Sequence, residues 1–165
     1  MSCVVADAGP LIALARIECL PLLHELYGAV VVPPRVLAEL GIDSDRPGAL
    51  ALRRALAAGW FEVVEASTDL AALGELPVDP GEAEAIWLAR HHTDLRFLLI
   101  DERRGRQLAR QLGLPVVGTA GVLLVAKQQG LVQEVRSMLL NLSEIGYHLS
   151  PRLCAEMLRL AGEDS

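Results

Sequence analysis

The chain has 165 residues, 52% of them hydrophobic, 22% charged and 4% aromatic, with 15 basic and 21 acidic side chains for a formal net charge of −6. This length and apolar content fit one globular domain with a modest appendage and exclude a disordered chain. Its apolar runs, such as Val30 to Val32 and Val122 to Ala126, fall far below the ~20 residues of a membrane span, and an acidic balance is not the usual signature of a nucleic-acid binder.

The opening Met-Ser-Cys-Val-Val-Ala-Asp has no basic region before its apolar residues, so no secretory leader and a cytoplasmic location are expected. Cys3, Cys19 and Cys154 are odd in number and widely spaced. They read as small buried hydrophobes, not as a disulfide framework or a zinc ribbon. Val4 to Ala6 is a predicted strand ending at Asp7. Gly9 turns the chain and Pro10 takes the first position of a helix through Leu11 to Ile17. A helix follows at Pro21 to Leu26, a fully apolar strand at Ala29 to Val32, and a helix from Arg35 to Leu40, opened by Pro34 and stopped at Gly41. Residues 42–48 are a loop. Ala49 to Ala58 reads as a helix and Phe61 to Glu65 as a strand leading to Ala66, Ser67 and Thr68.

Asp79-Pro80-Gly81-Glu82 starts a helix that runs to His92. Phe97 to Ile100 is a strand ending at Asp101, Arg103 to Leu112 a helix, Pro115 to Val117 a strand, and Thr119 to Gln129 a helix closed by Gly130. This alternation implies an α/β fold: a central, mainly parallel sheet flanked by helices, with right-handed crossovers. Beyond residues 1–130, Leu131, Val135 and Leu139 make one amphipathic stripe, and Leu153, Met157 and Leu158 another. Residues 131–165 are therefore expected to form a C-terminal helical extension packed on the same domain or on the partner of a homodimer.

Ligands of a parallel α/β sheet bind outside the carboxyl ends of its strands. Asp7 and Asp101 each follow a buried strand directly and are expected to enter one crevice. Glu39 stands late in an otherwise apolar helix, where the helix dipole disfavours a carboxylate, so it asks for a cation or for Arg35 one turn earlier. Glu82 is either the third residue of a capping box with Asp79 or an acid opening toward the crevice. Glu84, on another side of that helix, competes for the same role. Gathered carboxylates raise one another's pKa unless a cation offsets them. An all-oxygen set suits Mg²⁺ or Mn²⁺, whereas Zn²⁺ asks for His or Cys at coordinating spacing. His24, His91, His92 and His148 offer no such spacing and read as surface or packing residues. Two carboxylate-held metals suit phosphodiester hydrolysis, one acidifying the attacking water and the other stabilising the leaving oxygen.

Four segments in order, Val-Val-Ala-Asp7-Ala-Gly-Pro-Leu-Ile, Pro-Pro-Arg-Val-Leu-Ala-Glu39-Leu, Asp-Pro-Gly-Glu82-Ala-Glu-Ala-Ile and Leu-Leu-Ile-Asp101-Glu-Arg-Arg-Gly-Arg, resemble the acidic motifs of PIN-domain proteins. The likeness is to a small prokaryotic group whose third motif is Gly-Glu-Ala-x-Ala-Ile, and Leu114 to Gly130 also looks like that group. The resemblance implies a three-layer PIN-like nuclease domain over residues 1–130. It implies a Mg²⁺- or Mn²⁺-dependent endoribonuclease acting on RNA, as the toxin of a VapC-type toxin–antitoxin pair with a small antitoxin protein. Carried over by position, Asp7, Glu39, Glu82 and Asp101 are the catalytic and metal-holding acids. The chain departs from many toxin-type members by Glu82 in place of Asp, with Glu84 nearby, and by Leu99 in place of a hydroxyl residue two before Asp101. Thr119 is the nearby hydroxyl to nominate instead.

Fourteen of the 15 basic residues are Arg. Arg103, Arg104 and Arg106 are candidates for RNA-phosphate contacts, since a guanidinium binds phosphate bidentately. Arg110 reads equally as part of a solvated face with Arg106. The competing reading is a PIN-like module that binds nucleic acid or protein without cleaving. A phosphoacceptor receiver domain is disfavoured, because the strand from Phe61 leads to Ala66, Ser67 and Thr68 and not to an acid. No Gly-x-Gly-x-x-Gly or Walker-type sequence points to a nucleotide cofactor. Two divalent ions on four acids would offset the charge that first argued against RNA, so RNA affinity is expected to depend on divalent metal.

Overall fold

Short runs of β-branched and aliphatic residues, apolar without alternation, are what a strand buried on both faces requires. The computed structural model describes residues 2–66 and 77–164. It has five strands, β1 (Cys3–Ala6), β2 (Val30–Val32), β3 (Phe61–Val63), β4 (Leu95–Leu99) and β5 (Val116–Val117), of which β1, β2 and the second half of β4 are such runs. They pair in the order β3-β2-β1-β4-β5, every pair parallel. Nine helices among the described residues surround the sheet: α1 (Ala8–Arg16), α2 (Leu20–Tyr27), α3 (Pro34–Glu39), α4 (Ala49–Ala57), α5 (Pro80–His91), α6 (Arg103–Gln111), α7 (Thr119–Gln128), α8 (Val135–Glu144) and α9 (Pro151–Leu160). No helix among the described residues is long and apolar enough to cross a membrane.

Chain order decides where a crevice opens. From β1 the chain moves through β2 to β3 on one side, whereas β4 is followed by β5 on the other. Right-handed crossovers running in opposite directions place their helices on opposite faces and leave a gap above the carboxyl ends of the two strands where the direction reverses. Those strands are β1 and β4, joined with Ala6 level with Leu99. Asp7 and Asp101 come immediately after this register.

Several boundaries differ from expectation. Helix α1 starts at Ala8, so Pro10 is its third residue and not its first. The missing N–H still falls in the first turn, where it has no intrahelical partner to lose. The third strand ends at Val63, short of Glu65, because it is the sheet edge and both Glu62 and Val63 are exposed. Ser67 and Thr68 lie outside the described residues. Of the three cysteines, Cys19 is buried while Cys3 and Cys154 are only partly so; all are free.

In the C-terminal segment, Val135, Leu139 and Leu142 are the buried face of α8. Leu131 precedes that helix. On α9 Met157 is buried, but Leu153 is 40% exposed and does not share its role. Helices α7, α8 and α9 pack on one another. Helix α8 has no cap from its own Glu134 side chain, and Glu163 supplies one from a distance. Its carboxylate accepts from the N–H of Val135 at 2.8 Å and of Arg136 at 3.1 Å, and from Lys127 Nζ at 3.3 Å.

Those bonds hold the Glu163 carboxyl below its ordinary pKa, the backbone N–H of Val135 contributing most. A depressed carboxylate pKa stabilises the fold above the unfolded-state pKa and loses that stabilisation as pH falls through the folded value. Replacing Glu163 by Ala is expected to cost about 1–2 kcal/mol at neutral pH, as loss of a helix cap does. In thermal melts the gap between wild type and variant should close in acid; a gap constant with pH refutes the role.

Candidate functional site

Asp7 is placed by the sheet. Its N–H donates to the carbonyl of Leu99 at 2.9 Å, continuing the β1–β4 ladder by one residue. Its side chain does not cap α1. Asp7 is only 6% exposed and its Oδ1 has no hydrogen-bond partner among the described residues. Burial, opposed by the Ala8 N–H and reinforced by the charges of Asp79, Glu39 and Asp101, pushes its pKa up to about 7.

Asp101 reaches the crevice two residues beyond β4 and is held differently. The N–H of Thr119 donates to its Oδ1 at 2.8 Å and the Thr119 hydroxyl to its Oδ2 at 2.5 Å. Thr119 is fully buried, so the hydroxyl nominated from sequence orients Asp101. Burial still raises the Asp101 pKa, against the pull of those two bonds and of Arg106.

Helix α5 supplies the third acid. Asp79 caps it by accepting from the Glu82 N–H at 2.9 Å. Only half of the capping box forms, because the Glu82 side chain turns into the crevice, where it is 6% exposed and its Oε2 has no partner among the described residues. Burial, a hydrogen bond with Asp79, and the charges of Asp79, Asp7 and Glu102 push its pKa up to about 9. Glu84 goes elsewhere: its carboxylate pairs with Arg35 Nε at 2.9 Å. Arg35, one of the two partners expected for Glu39, instead pairs across the interface that α3 makes with α5. Glu39, at the end of α3, lies against the first turn of α5. Partial burial and the charges of Asp79 and Glu84 raise its pKa, with Arg35 opposing.

Asp79 is the acid that sequence reasoning assigned to capping alone. It caps, but its charge also acts on Asp7, Glu39 and Glu82 together. Three glycines were also missed, and each makes room for one acid. A methyl group built at Gly81 collides with the Glu39 carboxylate. One at Gly105 comes within 2.8 Å of Glu82 Oε2, and one at Gly118 within 2.6 Å of Asp101 Oδ1. None of the three has a positive φ; what each provides is space for the backbone to approach a carboxylate.

The arginines divide. Arg104 lines a cavity of about 450 Å³ with Asp79, Glu82 and Glu102. Arg106 donates to the Ile100 carbonyl at 2.9 Å and lines a second cavity that includes Asp101. Arg103 is exposed and lines neither of the two. Glu102 is spent as the cap of α6, accepting from the Gly105 N–H at 2.7 Å. His24 and His91 stack on Trp60 and Trp87 at 4.4 and 4.1 Å, as packing residues.

Among the described residues no three His, Cys, Asp or Glu side chains converge tightly enough to form a ready cation cage. The crevice does hold two buried carboxyl oxygens without partners, on Asp7 and Glu82, beside Asp101 and Glu39. Such a set is all oxygen and short of positive charge, which fits a hard divalent cation.

Comparison with protein families matches residues 3–163 to the PIN domain. No curated protein and no solved structure matches the chain.

The raised carboxyl pKa values carry a stability consequence. The folded protein without cation keeps protons that the unfolded chain releases near 3.8 for Asp7 and 4.5 for Glu82. Its stability should therefore fall as pH rises, over a window from about 4 to 7 for Asp7 and up to about 9 for Glu82. In EDTA, Asp7→Asn and Glu82→Gln should each raise the melting temperature above neutral pH and gain nothing near pH 4. Millimolar Mn²⁺ should stabilise wild type more than either variant. Variants no more stable than wild type at alkaline pH would refute this electrostatic account.

Proposed function

The chain belongs to the PIN-domain family, whose members are generally nucleases, and on that premise we propose that it is a Mg²⁺- or Mn²⁺-dependent endoribonuclease. The observation that carries the reading is the pair of buried, unpartnered carboxyl oxygens on Asp7 and Glu82, at the point where the sheet reverses direction. Asp7, Glu82, Asp101 and Glu39 would hold the cation. When bound, it supplies an acidified water and a stabilised leaving oxygen for phosphodiester hydrolysis.

The chain's own residues do the rest. Thr119 fixes the Asp101 carboxylate through both oxygens, so that acid is set in place before substrate arrives. Arg35 pairs with Glu84 and so partly offsets a charge that reaches Glu39. Asp79 fixes the first turn of α5, and with it Glu82. Arg104, at the rim of the same cavity, is placed to hold a phosphate of the RNA bidentately. In the cell the reading extends to the toxin of a toxin–antitoxin pair. A short adjacent reading frame encoding a helix-rich DNA-binding protein would support that extension, and a lone gene would count against it.

The test uses total RNA with purified protein, with and without Mn²⁺. Asp7→Asn and Asp101→Asn should each slow cleavage at least about 100-fold, the scale of losing several kcal/mol of charge stabilisation. Glu84→Gln should stay within about threefold of wild type, because that carboxylate already answers to Arg35. If the two aspartate variants cut as fast as wild type, the assignment fails. RNA binding without cleavage by wild type would favour the non-catalytic reading.

A further inference from the structure

Asp101, whose charge reaches Asp7 in the acidic crevice, lines a cavity of about 410 Å³ between the start of α7 and the C-terminal extension. The walls are apolar, from Val117, Leu149, Leu153 and Met157, and the polar groups facing it are few. Asp101 accepts from Thr119 through both oxygens, the Ser150 hydroxyl accepts from the Leu153 N–H at 3.1 Å and so caps α9, and the exposed His148 stands at the same cavity. Two donors reach it from the less exposed residues, Arg106 and Tyr147. Arg106 uses one N–H on the Ile100 carbonyl and its others have no partner among the described residues. The Tyr147 hydroxyl is buried and has no partner among them either.

Tyr147 is delivered by the way α8 ends. Gly146 takes φ +81°, its N–H donates to the Ser143 carbonyl at 3.0 Å, and the Tyr147 N–H donates to Leu142 at 2.9 Å. This left-handed cap reverses the chain and lays the following side chain on the core. A phenol oxygen buried there unpaired costs stability that a ligand atom would restore.

We propose that this cavity receives one nucleotide of the RNA next to the scissile bond, with Arg106 on its phosphate and the Tyr147 hydroxyl reading its base. The volume lies in the range of about 300–1,000 Å³ typical of small-ligand sites, and suits a single nucleotide. Apolar walls accept the faces of a base, a hydroxyl selects among base edges, and a guanidinium binds phosphate without regard to sequence. Asp101 lines this cavity and its charge acts on Asp7, so the cavity lies beside the crevice and the C-terminal extension sets base preference at the cleavage site. The location next to a scissile bond rests on the nuclease reading; binding of a nucleotide does not.

The experiment titrates the four nucleoside 5′-monophosphates into the full chain in EDTA, by calorimetry, where no cleavage occurs. Wild type should prefer one base by about threefold or more. Arg106→Gln should weaken all four about tenfold. Tyr147→Phe, which keeps the ring and removes an unpaired buried hydroxyl, should level the preference while leaving average affinity within about threefold and the melting temperature at or above that of wild type. Leu153→Trp, filling the cavity from a half-exposed position on α9, should abolish binding. The proposal is overturned if no mononucleotide binds wild type, if base preference survives Tyr147→Phe, or if an acidic peptide binds through Arg106 and nucleotides do not. Nucleotide binding with these effects but no RNA cleavage would sink the nuclease reading and leave the cavity standing.

Discussion

Everything about the crevice follows from carboxylates being buried next to carboxylates. Adjacent parallel strands lie about 4.8 Å apart. A sheet that reverses direction between β1 and β4 therefore brings whatever follows those strands together above one gap. Here both strands are followed by aspartates, and the helices that close the gap add Glu39, Asp79 and Glu82. No local arrangement of protein groups offsets that density. Thr119 can satisfy Asp101, and Arg35 can answer Glu84, but Asp7 and Glu82 keep oxygens that nothing in the described protein reaches. The fold tolerates this because an apolar sheet and its helices supply stability elsewhere, and because protonation relieves the strain when no cation is present.

The same density explains the glycines. A carboxylate set against the start of a helix needs the backbone close to it, and a Cβ at the contact forbids that approach. Gly81, Gly105 and Gly118 occupy those contacts, one at the first turn of α5, one at the first turn of α6 and one just before α7. Each stands where a helix begins, and the N-terminus of a helix carries partial positive charge that favours a nearby anion. Close approach and dipole thus act on the same acids.

Asp7 and Asp101 were legible in the sequence because each ends an apolar run, and the end of a parallel strand has a known place in the fold. The motif order around Glu39 and Glu82 was legible as a resemblance. Pairings across elements were not. The i,i+4 spacing of Arg35 and Glu39 describes one helix alone, and only the packing of α3 on α5 shows that Arg35 turns to Glu84. That tertiary pair also separates Glu82 from Glu84, two residues apart and equally acidic on paper. Asp79 read as a cap because capping is a local rule; its second role depends on Asp7 and Glu39, distant in sequence. Tyr147 carried no signal at all, since one aromatic residue after a glycine looks like any helix end. The edge strand β3 came out shorter than its apolar pattern because no further strand pairs with it.

Net charge misleads for the same reason. A value of −6 averages over the whole surface, whereas a substrate meets the field of one crevice and its rim. Two of its acids, Asp7 and Glu82, are buried and raised in pKa, so without a cation Glu82 is largely neutral near pH 7. The basic groups around them are arginines, Arg104 on one cavity and Arg106 on the other. Both lie on α6, two residues apart, and α6 starts directly after the strand that delivers Asp101. One short segment, residues 99–106, therefore carries an acid of the crevice, a helix cap, and a guanidinium for each cavity. On the nuclease reading proposed above, these two guanidiniums are the groups that would meet RNA phosphates, which an acidic overall composition does not reveal.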